Sequence, residues 1–496
     1  MFSMKVFDTL LVANRGEIAR RVIRSAKARG LRTVAVYSDA DRQAAHVREA
    51  DTACRIGPTP ASESYLDIDA VLAAARDSGA QAIHPGYGFL SERSEFARAV
   101  TDAGLVFVGP SADVMDQMGR KDRAREIAVA AGVPVVPDHP VDSADLAEDE
   151  FPILVKAAAG GGGKGMRIVE RAADLLEALA AARREALNAF GDQRMIAEKY
   201  LRRPRHVELQ VFADTHGNAV HLFERDCSLQ RRHQKIIEET PCPVLNDATR
   251  EAMCQVALTG ARAIGYYSAG TFEFLLGQDQ SFYFLEMNTR LQVEHPITEM
   301  VTGVDLVKEM IRVADGAPLS ISGVERRGVA IEARVYAEDP AQGFLPAPGR
   351  IEYLAAAAGP FVRDDSGVGS GSWVSPEFDP LLTKLCAWAP TRAEAIARLR
   401  RALGEYVVLG VTTNLDFLDS LLAHPRVVQG DYDTSFVEQH VGELTRAPST
   451  EQAERDALLL AALAARADQV QTRTEAQPTA SSSWRDQRHS PTTRYR

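Results

Sequence analysis

Cysteine is scarce and unpatterned. The five residues, Cys54, Cys227, Cys242, Cys254 and Cys386, are odd in number and scattered, with no CxxC or Cys/His ligand spacing. That excludes a disulfide framework and a structural zinc site, and suits thiols of a reducing compartment. No apolar run reaches the roughly 20 residues of a membrane span. Asp8, then Asn14, Arg15 and Glu17, interrupt the apolar start of the chain, so no signal peptide is read there and a cytoplasmic protein is expected. Positive charge is in deficit: the formal net charge of −11 argues against a general nucleic-acid binder. Two phosphate-binding fingerprints are missing as well. The first turn is Asn14-Arg15-Gly16-Glu17, not GxGxxG, so Asp39 is not read as a ribose-binding acid. Before Lys164, Ala158 stands where a Walker A loop needs its first glycine, and Gly165 stands where it needs Ser or Thr. No internal repeat is present.

What remains is an ordinary globular composition in 496 residues, long enough for about three domains. The pattern over 5–37 is strand, turn, helix, strand, with strands at 5–13 and 33–37 and a helix at 17–28. It continues through 70–76, 80–84 and 105–108, which predicts an open parallel α/β sheet. The turn His84-Pro85-Gly86-Tyr87-Gly88-Phe89-Leu90-Ser91-Glu92 lies at the carboxyl end of a strand, where ligands bind in such sheets. His84 by itself reads as structural. A helix at 121–131 ends at Gly132 and Pro134. After a polar connection at 138–149 come strands at 151–157 and 166–170, a helix at 172–189 and a strand at 195–201. Between the first two strands lie Gly160 to Gly163. Four glycines expose backbone N–H groups to an anion, although a glycine run alone is equally a surface loop. Its place beside Lys156 favours a phosphate flap.

A hairpin at 205–212 and 219–223 precedes a basic run, Arg225, Arg231, Arg232, His233 and Lys235, which reads as an anion site more than as a solvated face. The most informative stretch is 284–300, FLEMNTRLQVEHPITEM. It starts as a strand, and Glu286, Asn288, Arg290, Gln292 and Glu294 recur at every second position, so an extended chain would put all five on one face. The strand at 270–276 can pair with it and place Glu273 across from Glu286. Two carboxylates about 4 Å apart repel by roughly 4 kcal/mol at a surface-like dielectric, and facing like charges destabilise a sheet. A cation between them removes the conflict, with Asn288 as third ligand. Oxygen-only donors suit Mg²⁺ or Mn²⁺ on a phosphate. Further strands are read at 329–336, 349–354 and 381–387, helices at 392–403, 415–423 and 451–469, and an aperiodic polar tail at 472–496 that composition marks as disordered.

Together these motifs resemble the biotin carboxylase family of ATP-grasp ligases. The matching stretches are ANRGEIA at 13–19, HPGYGFLSE at 84–92, KAAAGGGGKGMR at 156–167, EKYL at 198–201, RHVELQV at 205–211, RDCSLQRRHQK at 225–235, GTFEFL at 270–275 and FLEMNTRLQVEHPITE at 284–299. The resemblance runs from about 5 to 446. One departure is Arg120, where Asp often precedes the lysine; Lys121 itself is present. The resemblance implies a mixed α/β and α+β fold. Its parts are an N-terminal open parallel α/β domain at 5–115, an ATP-grasp domain at 116–325 with a lid at about 133–204, a C-terminal biotin carboxylase domain at 326–446, and a helix and tail at 447–496.

It also implies a chemistry. ATP and bicarbonate give carboxyphosphate, which carboxylates biotin. Lys121, Lys156, Gly162, Gly163, Glu198, Lys199, Leu201, His206 and His233, with Glu273 and Glu286, are expected at ATP. Glu273, Glu286 and Asn288 are expected to hold Mg²⁺ or Mn²⁺. Lys235, Arg290, Gln292, Val293 and Glu294 are expected to cradle bicarbonate, with Glu294 as base, Arg290 orienting the anion, and Arg334 stabilising the biotin enolate-like anion. The implied setting is the first half-reaction of an acyl-CoA carboxylase, of acetyl- or propionyl-CoA type, in a homodimer without nucleic-acid or membrane partners. The chain has no Met-Lys-Met biotinylation site. Biotin is therefore expected on a carrier protein or domain, and the acyl acceptor on a separate carboxyltransferase. Two rivals stay open on the residues: another ATP-grasp ligase of carbamoyl-phosphate-synthase type, and a non-catalytic nucleotide-binding regulator.

Overall fold

Thr9–Val12 is a strand buried on both faces, which is why it reads as an apolar run and not as an alternation. In the computed structural model it is the centre of a five-stranded parallel sheet. The order is Thr52–Gly57, Arg32–Ser38, Thr9–Val12, Ala82–His84, Val106–Phe107. The structure describes residues 6–139, 146–157 and 166–445, with Leu458 and Ala462 beyond them. The glycine run, the helix expected over 451–469 and the polar tail lie outside the described residues, those two positions apart. The expected parallel α/β sheet is present, with one strand more, Thr52–Gly57, whose mixed composition hid it. Helix Gly16–Ala28 packs Ile18, Ala19, Val22, Ile23 and Ala26 onto this sheet. The same core takes in Leu306, Val307, Met310 and Ile311 from helix Leu306–Ala314, which joins the first sheet to the following part of the chain.

That part is built on an eight-stranded antiparallel sheet. Its order is Phe282–Asn288, Ser268–Leu276, Arg205–Ala213, Ala219–Arg231, Gln234–Thr240, Val329–Tyr336, Leu381–Ala389, Val362–Ser366. The strands on either side of residue 325 therefore pair with each other, through Gln234–Thr240 and Val329–Tyr336. Helix Arg392–Glu405, capped by Thr391 and Glu394, lies over the far end and buries Leu399 and Leu403 with Phe417, Leu418 and Leu421. A separate four-stranded sheet, Asp138–His139, Met195–Lys199, Ile153–Ala157, Arg167–Val169, packs on helix Leu175–Phe190 around its own core of Ile153, Val155, Leu179 and Ala182. Among the described residues no helix is long and apolar enough to cross a membrane.

Candidate active site

The hairpin register is the one the repulsion argument required. Glu273 pairs directly with Glu286, and Glu208 pairs with Glu273 from the other side, so three carboxylates form a row across three strands. Burial and the facing Glu273 push the Glu286 carboxyl up, and its nearest cation, Lys121, stands 3.9 Å away. Glu286 is thus an under-neutralised carboxylate at the mouth of the site. Glu273 is the opposite case. Burial would raise it, yet Lys235 at 2.9 Å and His206 at 2.7 Å hold it far below the usual carboxylate range. Asn288 donates to Glu273 Oε1 at 2.7 Å. Two facing carboxylates and an amide oxygen fit a hard divalent cation, which when bound would neutralise phosphate charge. A cavity of about 260 Å³ opens against Glu286, Asn288, Lys121 and Glu92, and adjoins a cleft of about 560 Å³ along Arg93, Asp116 and Arg120.

Lys235 and Glu294 organise the deeper half. The ammonium donates to Glu208 at 2.5 Å, Glu294 at 2.6 Å and Glu273 at 2.9 Å. The other oxygen of Glu294 accepts from Arg334 at 3.0 Å, and Arg334 donates again to Glu238 at 2.6 Å. Burial would raise Glu294, but Lys235 and Arg334 outweigh it and keep the carboxylate ionised well below its ordinary range. Arg290 reaches back to Gln292 at 3.0 Å and Asn288 at 3.1 Å, and Glu92 lies 2.9 Å from its Nε. Gln292 donates to Glu273 at 3.1 Å.

The route by which these groups meet differs from the single extended face. The strand ends at Asn288, and residues 289–293 leave the sheet. Glu294 is the N-cap residue of helix His295–Thr302, which has Pro296 in its first turn. Proline can start a helix there but could not donate to a sheet partner, so the extended pattern stops short of it. Leu291 is fully buried in the N-terminal core. Burying a leucine is worth about 1.5–3 kcal/mol, enough to anchor the turn with Arg290 and Gln292 on its other side.

The basic run is the second correction. Ala219–Arg231 is one strand of 13 residues, not a hairpin ending at 223, so the run is divided between that strand, a tight turn and the next strand, Gln234–Thr240, and its charges go to different places. Arg225 is fully buried and engaged by Glu208 at 2.5 Å, Thr298 at 2.7 Å and Gln210 at 2.9 Å, so it is not open to an anion. Arg231 pairs with Glu338 at 3.0 Å and stacks on Phe344. Arg232 and His233 form the exposed hairpin tip in left-handed conformation, and Lys235 joins the carboxylate cluster through Glu273, Glu294 and the Glu208 oxygen opposite the one Arg225 binds. Lys156 pairs with Glu198 at 2.6 Å on neighbouring strands; Lys199 is exposed and Leu201 half-buried beside them. Gly162 and Gly163 fall outside the described residues.

Four partners escaped the sequence reading: Glu92, Glu208, Glu238 and Lys384. Glu208 was within reach, because His206, Glu208 and Gln210 alternate on one strand face. His84 is structural, as read. It is buried, its Nδ1 accepts from the Gly86 N–H at 3.0 Å, and burial pulls its imidazole down to about 3. Gly86 has φ +67°, and a Cβ there would lie 2.8 Å from Asn14 Nδ2, which braces the turn by donating to Pro85 and Tyr87 carbonyls.

Comparison with known proteins agrees with this arrangement. Three family models match: the biotin carboxylase N-terminal domain over 6–115, the carbamoyl-phosphate synthase L chain ATP-binding domain over 120–322, and the biotin carboxylase C-terminal domain over 332–439. The chain is 49% identical to the propionyl-CoA carboxylase alpha chain of Ruegeria pomeroyi, over 88% of its own length and 69% of that protein. It is 46% identical to biotin carboxylase 1 of Bacillus subtilis, over 87% of its own length and 98% of the relative. It spans 69% of the length of that Ruegeria alpha chain and 61% of the methylcrotonoyl-CoA carboxylase alpha subunit of Arabidopsis thaliana, to which it is 50% identical. A crystal structure of the biotin carboxylase domain dimer of Hydrogenobacter thermophilus 2-oxoglutarate carboxylase, with MgADP, ADP and bicarbonate, superposes with a TM-score of 0.82 at 41% identity. The superposition covers 89% of this chain and 99% of that one. A relative matched along nearly its whole length, and both flanking domain models, lead to one conclusion: the chain belongs to the biotin carboxylase family of ATP-grasp ligases.

Proposed function

We propose that the chain carboxylates biotin on a carrier protein, using ATP and bicarbonate through carboxyphosphate, as the first half-reaction of an acyl-CoA carboxylase. The observation that carries this is Glu294 held ionised between Lys235 and Arg334, beside the Glu273–Glu286 pair. A carboxylate within hydrogen-bond reach of bicarbonate can take its proton. Lys235, Arg290, Gln292 and the Val293 backbone are positioned to cradle the anion. Arg334 is positioned to meet negative charge developing on biotin. Lys121, Lys156, Glu198, Lys199, Leu201, His206 and His233 are read as the ATP contacts, with Gly162 and Gly163, and Glu273, Glu286 and Asn288 as the Mg²⁺ or Mn²⁺ ligands. Phosphoryl transfer asks for positioning and charge neutralisation more than covalent work, and this site supplies both.

The domain reading is retained at 5–115, 116–325 and 326–446, and a cytoplasmic setting with it. A biotin carrier, a carboxyltransferase and a second copy of the chain are the partners. An acyl-CoA acceptor is supported by relatives of two kinds, the propionyl-CoA carboxylase alpha chain of Ruegeria pomeroyi at 49% identity and the methylcrotonoyl-CoA carboxylase alpha subunit of Arabidopsis thaliana at 50%. The test is ADP release by the full chain. It should require bicarbonate and Mg²⁺ and rise with free biotin. An ATPase indifferent to bicarbonate and biotin would refute the reading.

A further inference from the structure

Glu294 acts from a turn, and a turn must be held by something. Residues 289–293 have left the sheet, and Glu294 itself makes no side-chain cap bond to the helix it begins. Leu291 anchors the turn from one side. From the other side comes Lys384, on strand Leu381–Ala389, directly opposite Arg334 in the sheet. Its side chain is fully buried, and Nζ donates to the Val293 carbonyl at 2.8 Å. Glu17 Oε2 lies 3.3 Å from the same nitrogen, and the Tyr87 ring centroid 5.7 Å from it. Burying an ammonium is unfavourable unless its partners are specific, so a lysine at this place is poorly explained by packing alone. Burial would lower its pKa, but Glu17, Glu332 and Asp365 outweigh that and keep it charged.

We propose that Lys384 is a positioning residue for the reaction: by holding the Val293 carbonyl it fixes the peptide joining Val293 to Glu294, and with it the seat of bicarbonate. The carbonyl oxygen of Val293 and the N–H of Glu294 belong to one planar unit, so holding the first orients the second. The same ammonium reads the N-terminal domain through Glu17. This gives the ANRGEIA motif a part that ATP and bicarbonate contacts leave unassigned. Glu17 lies in the first turn of helix Gly16–Ala28, and apart from the Lys384 ammonium 3.3 Å away its carboxylate oxygens have no hydrogen-bond partner among the described residues. It therefore serves Lys384 as counter-charge, while the bond that sets the turn is the one to Val293.

This rests on reading Val293 and Glu294 as the bicarbonate loop. The experiment measures KM for bicarbonate, ATP and biotin in the full chain, with thermal melts alongside, for wild type, Lys384→Met, Lys384→Gln and Glu17→Gln. Lys384→Met should raise the bicarbonate KM at least tenfold and leave the ATP KM within about twofold. Lys384→Gln, which keeps a donor, should recover a good part of that loss. Glu17→Gln should leave the bicarbonate KM within about threefold. A purely structural lysine would lower the melting temperature and the active fraction with all three KM values unchanged, and that outcome overturns the proposal. So does a Glu17→Gln rise of tenfold or more in the bicarbonate KM, a threshold that applies even should the Lys384 variants not fold. Failure of the underlying reading looks different: wild-type turnover would then not respond to bicarbonate at all.

Discussion

Glu294 carries one negative charge shared by two cations, and its neutral isostere should expose how much depends on it. Glu294→Gln is expected to lower bicarbonate-dependent kcat by about 10²- to 10⁴-fold, the usual worth of a general base, with the ATP KM little changed. ADP release at saturating ATP checks this; a loss under tenfold would remove Glu294 from the role of base. Glu238, the other partner of Arg334, behaves in the opposite sense. Burial raises its carboxyl, Arg334 lowers it and Glu294 raises it again, to about 7. A carboxyl raised on folding holds its proton where the unfolded chain has lost it. Its contribution to stability is complete below about pH 4.5 and is lost as the pH rises to about 7. Glu238→Gln should therefore match wild type at pH 4.5 and be more stable at pH 8.5, by on the order of 3 kcal/mol. Urea unfolding at both values decides it; an equal difference at each would show that no proton is involved. Glu294 was legible in the sequence through its motif. Glu208 was within reach through alternation, but Glu238 and Lys384 were not, because each acquires meaning from a group far away in the chain, Arg334 at 96 positions and the Val293 carbonyl at 91.

At the scale of the hairpin, the facing carboxylates make a prediction about the empty protein. Glu286→Gln removes a repulsion, so the metal-free variant should melt at or above the wild-type temperature while metal-dependent turnover falls at least a hundredfold. A clearly lower melting temperature would make Glu286 structural. Gly270, two strand positions before Phe272, tests the packing behind that hairpin. A Cβ there would lie 2.6 Å from the ring of Tyr266, which is buried and bonds the Ala269 carbonyl at 2.7 Å, so the ring has nowhere to go. Gly270→Ala should destabilise by about 1–3 kcal/mol in urea titration, the cost of overpacking. Register was readable from sequence here because alternation and a short turn allowed Glu273 to face Glu286, and a cation between them removes the repulsion that would otherwise oppose it. Strand length was not: an alternating pattern is the same in a strand and in the turn that follows it, so the end at Asn288 and the continuation to Arg231 went unread.

Over the whole molecule, ion pairs tie the first sheet to the last strands. Glu299 accepts from Arg21 at 2.7 Å, from Arg363 at 2.7 Å and from the Leu306 N–H at 2.8 Å. Glu299→Ala would leave two half-buried guanidinium groups with only Asp305 and Asp365 to neutralise them. The expected loss is about 3 kcal/mol, the lower end for breaking a buried pair, measured by urea unfolding. A loss under 1 kcal/mol would mean that water reaches the network. The architecture of three parts was legible from resemblance and alternation. The continuity of one eight-stranded sheet across the second and third parts was not, because pairing between distant strands leaves no local mark in a sequence.

The row Glu208, Glu273, Glu286 has an inheritance that follows from its geometry. Side chains alternate along a strand, so gaining or losing a single codon inside any of the three strands would turn its carboxylate to the opposite face of the sheet. Point changes can be tried there one at a time, but changes of length cannot. Descendants of this chain are therefore free to lengthen the turns between the strands, and bound to keep the count of residues within them.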